Sequence, residues 1–323
     1  MYPLKFEPLL TPFVWGGQKI APYKGISSES DHIGESWELS GVENRMSVVA
    51  NGPLAGKTIA QLVKEYKDSL VGRHVYANTG DEFPLLFKFI DALKDLSIQV
   101  HPSDELAKRL KEGFRGKTEM WYVVDAAPGA KLYNGLKKAI SPEELAARAA
   151  DGSITDVLAC YEVHPGDVFF IPAGRIHSIC SGCFIAEIQQ TSDLTYRIYD
   201  YGRPGLDGKP RQLHLEQAKE AVDYQVYDHY RTEYTPVKDE EVVLISCPYF
   251  TTSVFDLTLP YAKDLSELDS FFTVMCLSGS GTLEVDGEET GIRQGETVLI
   301  PADADDICFI PEDRMKLLTS FIS

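Results

Sequence analysis

Twice in this chain a glycine is followed by an acidic residue, an apolar run and a Pro-Ala pair. The copies are Gly166-Asp-Val-Phe-Phe-Ile-Pro172 and Gly295-Glu-Thr-Val-Leu-Ile-Pro301. Ahead of each lies a turn and strand of similar type, Pro128-Gly-Ala-Lys-Leu-Tyr-Asn-Gly135 and Gly279-Ser-Gly-Thr-Leu-Glu-Val-Asp-Gly287. Around them run short β-branched or aromatic segments bounded by Gly and Pro: 121–124, 184–188, 242–245, 271–277 and 281–285. Such a succession of brief strands predicts sandwiches or barrels. The duplicated pattern predicts two β-barrels of one design, the first interrupted by a small helical insertion at about 136–160.

Helical signals are few. Residues 58–70 carry an apolar stripe of period 3.6, residues 103–112 open at Ser103, and residues 214–221 form a short helix. Residues 141–151 begin Ser-Pro-Glu-Glu, an N-cap, a first-turn proline and a capping-box Glu144, with Gly152 as the stop. Residues 1–30 read as loop, rich in Pro and Gly.

The stretch 96–101, Leu-Ser-Ile-Gln-Val-His, alternates so that Ile98 and Val100 share one face of a strand and Gln99 and His101 the other. The run Phe83-Pro-Leu-Leu-Phe-Lys-Phe-Ile90 just upstream is too apolar for a surface ribbon, so the amide and the imidazole are expected inside. Buried polar groups need partners, since each left unpaired costs about 1–3 kcal/mol. Glu119 and His177 are the candidates. The first copy of the repeat continues as Gly166-x5-Pro172-x-Gly174-x2-His177. This resembles the second signature of the cupin family, and Gln99-x-His101 with Glu119 resembles a relaxed form of the first. Two imidazoles and a carboxylate from separate strands, with an amide beside them, make a divalent-metal site with open positions. Lys117, two residues before Glu119, falls on the same face. The second copy has Asp306 where His177 would fall and no Gln-x-His, which predicts a barrel without metal.

Several functions are disfavoured on composition. The net charge of -18 opposes nucleic acid or an anionic membrane as partner. No apolar run approaches a membrane span of about 20 residues, and the first residues lack the apolar core of a signal peptide. A cytoplasmic protein with six reduced cysteines is expected. The segment Gly113-Phe-Arg-Gly-Lys-Thr118 is no P-loop: position 111 is Lys, and a strand follows it.

Longer motifs point further. Trp15-Gly-Gly17, Gly34-Glu-Ser-Trp-Glu38, Phe83-Pro-Leu-Leu86, Leu96-Ser-Ile-Gln-Val-His-Pro102, Lys117-Thr-Glu119, Pro172-Ala-Gly-Arg-Ile-His177 and Gln189-Gln-Thr-Ser-Asp-Leu-Thr-Tyr-Arg-Ile-Tyr-Asp200 span nearly the whole chain. Together they resemble type I mannose-6-phosphate isomerases in their short bacterial form. The resemblance implies a mainly β fold of two cupin-type jelly-roll barrels. It implies a catalytic metal-binding domain over 1–240 and a degenerate β domain without metal over 241–323. It also implies one zinc ion per chain on Gln99, His101, Glu119 and His177, with Arg197 essential to catalysis. Lys117 is a second candidate for a catalytic role. The reaction implied interconverts mannose 6-phosphate and fructose 6-phosphate through an enediol.

Spacing alone supports a blander reading of Arg197, as a surface residue paired with Asp193 or Asp200. Two His and one Glu would also suit iron in a cupin dioxygenase or an iron-dependent sugar-phosphate isomerase. A non-catalytic sugar-binding or regulatory cupin is the remaining alternative; it need not keep Gln99, Lys117 and Arg197 together.

Overall fold

The computed structural model describes residues 1–110 and 115–323, and its fold is mainly β, of the cupin kind. The half that carries the predicted ligands is a pair of antiparallel sheets. The larger has seven strands in the order Arg231–Thr232, Val168–Ile171, Glu119–Ala126, Cys183–Gln190, Leu85–Asp91, Ile33–Leu39, Leu9–Gly17. The smaller has five: Tyr196–Tyr199, Ile98–Val100, His177–Ile179, Lys131–Leu136, Leu158–Glu162. Trp121, Val123, Phe169, Ile171 and Ile185 of the larger sheet pack on Leu132 and Ile179 of the smaller. The two sheets face one another as in a jelly roll, with open edges in place of a closed barrel.

Both sheets are covered on their outer faces as well. Ile98 and Val100 turn away from the cleft into a core shared with Leu145 and Ala149 of the helix Pro142–Asp151 and Ala218 of the helix Leu215–Ala221. Behind the larger sheet, Phe87, Phe89, Met120 and Ile188 pack on Ile59, Leu62 and Val63 and on Phe250, Phe271 and Leu318 from the C-terminal part of the chain. Every residue of Leu85–Asp91 and of Cys183–Gln190 is therefore buried. Burial on both faces explains why these strands read as apolar runs without alternation.

The C-terminal sheet has eight strands and is organised on two long ones, Phe272–Val285 and Asp306–Phe321. Its interior is apolar, with Phe255, Phe272, Leu283, Ile300, Phe309 and Leu317 in one cluster, and Asp306 lies exposed at the start of its strand. Leu4–Lys5 pairs with Thr297–Ile300 of this sheet. The sequence repeat has a structural counterpart: Gly166 and Gly295 both take positive φ (98° and 82°) in the turn that precedes an equivalent strand. That conformation suits glycine because it lacks a Cβ.

Some local expectations are corrected. Residues 9–17 form a strand, not a loop; its pairing with Ile33–Leu39 is interrupted at Pro12, which has no N–H to give the ladder. Residues 271–277 and 281–285 belong to one strand, because bulges at Cys276–Ser278 and Gly279–Gly281 bend it where a turn was expected. Ser141 caps its helix, accepting from Glu144 N at 3.2 Å, but the Glu144 carboxylate bonds Arg148 Nε at 2.7 Å and closes no capping box. The helix 58–70 stops at Tyr66, where Lys67 takes a φ of 49°, and short helices follow at Asp68–Val71 and Arg73–Thr79. The expected helix 103–112 is seen as Asp104–Leu110, its last two residues lying outside the described ones.

Candidate active site

His101, Glu119 and His177 come together at the inner wall of the cleft, from three separate parts of the chain. Their ligand atoms lie within 4.8 Å of one another, and the residues are 1%, 0% and 0% exposed. Each ring is held by its far nitrogen. Nδ1 of His101 donates to the Leu194 carbonyl and Nδ1 of His177 to the Arg175 carbonyl, both at 2.8 Å. Since a carbonyl only accepts, both protons sit on Nδ1, and both Nε2 lone pairs face Glu119, 3.5 Å and 3.4 Å from its oxygens. Burial, with Lys117 and His177 adding to it, holds the His101 imidazolium far below its usual range; burial pushes His177 down to about 3. Both rings are neutral at physiological pH, as ligands must be. Burial and the neighbouring Glu187 push the Glu119 carboxyl up. Oε1 of Glu119 is buried without a hydrogen bond among the described residues. Two fixed lone pairs and an under-satisfied carboxylate fit a divalent cation.

Gln99 stands beside this cluster. Its Nε2 lies 3.3 Å from His177 Nε2 and its Oε1 accepts from Ser97 Oγ at 3.1 Å, so turning the amide over brings oxygen to the cluster. Register explains the placement: Asn134, His177, Gln99 and Arg197 lie directly opposite one another on four adjacent strands. Opposed residues share a face. Lys117, on the larger sheet's side, puts Nζ 2.8 Å from Glu119 Oε2 and 3.1 Å from His101 Nε2. Burial alone would lower its pKa, but Glu119 and Glu187 outweigh that and hold it above the usual lysine range, so it is an ammonium. The two halves of the signature are tied by a backbone bond, Gly174 N to His101 O at 2.8 Å. Gln189 Nε2 donates to Ser192 O and to Gln190 O, each at 2.7 Å, and so anchors the loop that presents the Leu194 carbonyl to His101.

Known proteins share this architecture. Residues 4–126 match the family model for the catalytic domain of type I phosphomannose isomerase, and residues 240–316 that for the cupin domain of mannose-6-phosphate isomerase. A probable mannose-6-phosphate isomerase, GmuF of Bacillus subtilis, is 36% identical over 93% of this chain and 94% of its own. The chain belongs to the type I phosphomannose isomerase family. A second family member, mannose-6-phosphate isomerase ManA of the same organism, is 34% identical over 93% of each chain. The crystal structure of mannose 6-phosphate isomerase from B. subtilis superposes with a TM-score of 0.89 at 32% identity, covering 99% of both chains.

In this family member His177, Gln99 and Lys117 line a cavity of about 310 Å³. Its floor is a row across four strands of the larger sheet: Trp121, Glu187, Lys88 and Trp37. Trp121 stacks edge-on to His177, 5.3 Å between centroids, and donates Nε1 to Glu187 Oε2 at 2.8 Å. Lys88 Nζ sits 3.2 Å from Glu187 and 3.6 Å from Glu35. Burial would raise Glu187, but Lys117, Lys88 and the Trp121 bond bring its pKa down, so the carboxylate stays charged. Sequence reasoning assigned no role to Lys88 and Glu187. One signal was available: each is a lone charge of opposite sign inside an apolar run.

Arg197 also lines the cavity, and it pairs with neither Asp193 nor Asp200, the partners that spacing suggests. Asp200 is taken by Arg203 and Arg211, the latter through two bonds of 2.6 Å and 2.7 Å. Arg197 donates Nη1 to the Gln212 carbonyl at 3.0 Å, makes no ion pair among the described residues, and keeps a buried Nε without a hydrogen bond.

Proposed function

We propose that this family member interconverts mannose 6-phosphate and fructose 6-phosphate through an enediol, with one zinc ion per chain held by His101, Glu119, His177 and Gln99. The observation that carries the reading is the buried His–Glu–His cluster, its lone pairs oriented, reaching through His177 a polar cavity that also holds an arginine with no ion pair among the described residues. Two imidazole nitrogens with oxygen donors suit zinc. When bound, the cation supplies a Lewis acid that acidifies the carbon next to the sugar carbonyl.

The chain's own groups do the rest. Arg197, next to Gln99 in the ladder, offers fixed N–H donors where negative charge develops as the proton leaves C2. His101 Nε2 has a single lone pair, so a cation held there would free Lys117, which bonds that atom here, to donate to a substrate oxygen. Trp121, through a hydrogen bond, and Lys88, through an ion pair, hold the Glu187 carboxylate on the floor beneath the reacting carbons.

A coupled assay in both directions tests the reaction, and metal analysis of protein purified without added metal tests zinc. Absence of turnover with either sugar phosphate would overturn the function. Iron in place of zinc would overturn the cofactor and leave the reaction standing. Sugar-phosphate binding without turnover would favour a non-catalytic cupin.

A further inference from the structure

Among the described residues, five cationic side chains line the cavity: Arg45, Lys88, Lys117, Arg197 and Arg211. Three of them are ion-paired, Lys88 with Glu35 and Glu187, Lys117 with Glu119, and Arg211 with Asp200, whose single charge Arg203 shares. Arg45 and Arg197 make no ion pair among the described residues. A guanidinium stays charged in any protein environment. Each is therefore a half-buried charge that no ion pair among the described residues offsets, and burial depresses the pKa of both.

The two occupy different ends. Arg197 stands beside Gln99 and the metal cluster. Arg45 sits beyond the floor's other end, with Cζ 3.5 Å from the centroid of Trp37 and Nη2 donating to Thr11 Oγ1. It reaches there because the chain turns sharply after the strand Ile33–Leu39. Arg45 N bonds Val42 O at 3.0 Å and Asn44 takes a φ of 65°, folding the side chain back over the tryptophan. Stacking and one hydrogen bond fix the plane of the guanidinium and leave its other N–H groups for a ligand. Glu35 and Asp193 are the carboxylates whose fields it feels.

The length of the floor suits the substrate class. From Trp121 to Trp37 are three inter-strand steps of about 4.8 Å, about 14 Å in all. The bonds from C2 to phosphorus in an open-chain hexose 6-phosphate, about 1.5 Å each, cover a distance of that order once the contacts at both ends are added.

We propose that Arg45 grips the phosphate group of the sugar substrate, at the end of the cavity remote from the His–Glu–His cluster, and so selects a phosphorylated sugar. This deepens the isomerase reading and rests on it for the sugar's identity. Arg197 is left to the reacting end.

Mannitol 6-phosphate is a suitable probe: it is open-chain and, carrying no carbonyl, cannot be turned over. Its affinity is measured calorimetrically for the parent, Arg45→Met and Arg45→Lys, with mannitol as the control lacking phosphate. The Met side chain keeps an apolar cover on Trp37, so a purely structural role would leave binding intact. The expected result is a loss of at least about tenfold in Arg45→Met, partial recovery in Arg45→Lys, and a weaker salt dependence in the Met variant. In turnover, KM for mannose 6-phosphate rises while kcat stays within about threefold. Unchanged affinity in the Met variant, a parent that does not bind the probe, or a fall in kcat at constant KM would overturn the proposal. Should Arg45→Met fail to fold, Arg45→Gln gives the same comparison. A parent that binds the probe through Arg45 yet turns over neither sugar keeps the phosphate site and retires the isomerase function.

Discussion

Replacing Arg197 by methionine separates stability from catalysis with opposite expectations. The side chain makes one hydrogen bond, to the Gln212 carbonyl, and no ion pair among the described residues. Losing a hydrogen bond of this kind costs about 1 kcal/mol. Removing a half-buried charge that has no ion pair among the described residues recovers part of that cost, so the melting temperature should move by no more than a few degrees, about 1 kcal/mol either way. Catalysis should respond far more. A donor aimed at charge that exists only in the transition state is worth about 2.7–4 kcal/mol, a loss of about 10²–10³ in kcat. Bound metal should be unchanged, because Arg197 touches the cluster only through Gln99's strand. The assay pairs thermal denaturation and metal content with steady-state kinetics on mannose 6-phosphate. A kcat within about threefold of the parent would refute the assignment. So would a large loss of stability, which would mean that the guanidinium satisfies something in the fold.

Three further outcomes follow from the site. His177→Ala and Glu119→Ala should each abolish zinc retention after dialysis while leaving a folded protein; retention equal to the parent would misplace the centre. Gln189→Leu, which releases the loop behind the Leu194 carbonyl, should weaken zinc binding about 10–100-fold in a chelator competition, and unaltered affinity would show that the loop holds itself. Asp306→Ala should leave both metal content and turnover at parental values, as expected for an exposed residue of the C-terminal sheet.

The residues that were legible in advance share one property: a pattern that survives without knowing the partner strand. Gln99 and His101 declare themselves because Ile98 and Val100 alternate with them. Gly166, Pro172 and Gly174 mark the turns that deliver His177. Lys88 and Glu187 stayed hidden because their strands are buried on both sides, leaving no polar face to set the period. Arg45 was hidden for another reason: its position depends on a turn at Asn44 and on a tryptophan eight positions back, a contact that no helical or strand period predicts. Arg197 was ambiguous in sequence because two aspartates lie nearby; only the tertiary pairing of Asp200 with Arg203 and Arg211 takes one of them away.

The ladder Asn134–His177–Gln99–Arg197 also bears on how the site comes into being. Its four members are drawn from strands far apart in the chain, and Glu119 arrives from the opposite sheet. Contacts between such distant segments close late, since loop entropy must be met before they gain anything. A refolding chain holds only the neighbouring Gln99 and His101 until the sheets register, and that pair alone is a poor chelate. On the proposed zinc reading, tight metal capture would be a clock for the last stage of assembly, readable in stopped-flow as zinc uptake that trails the formation of β-structure.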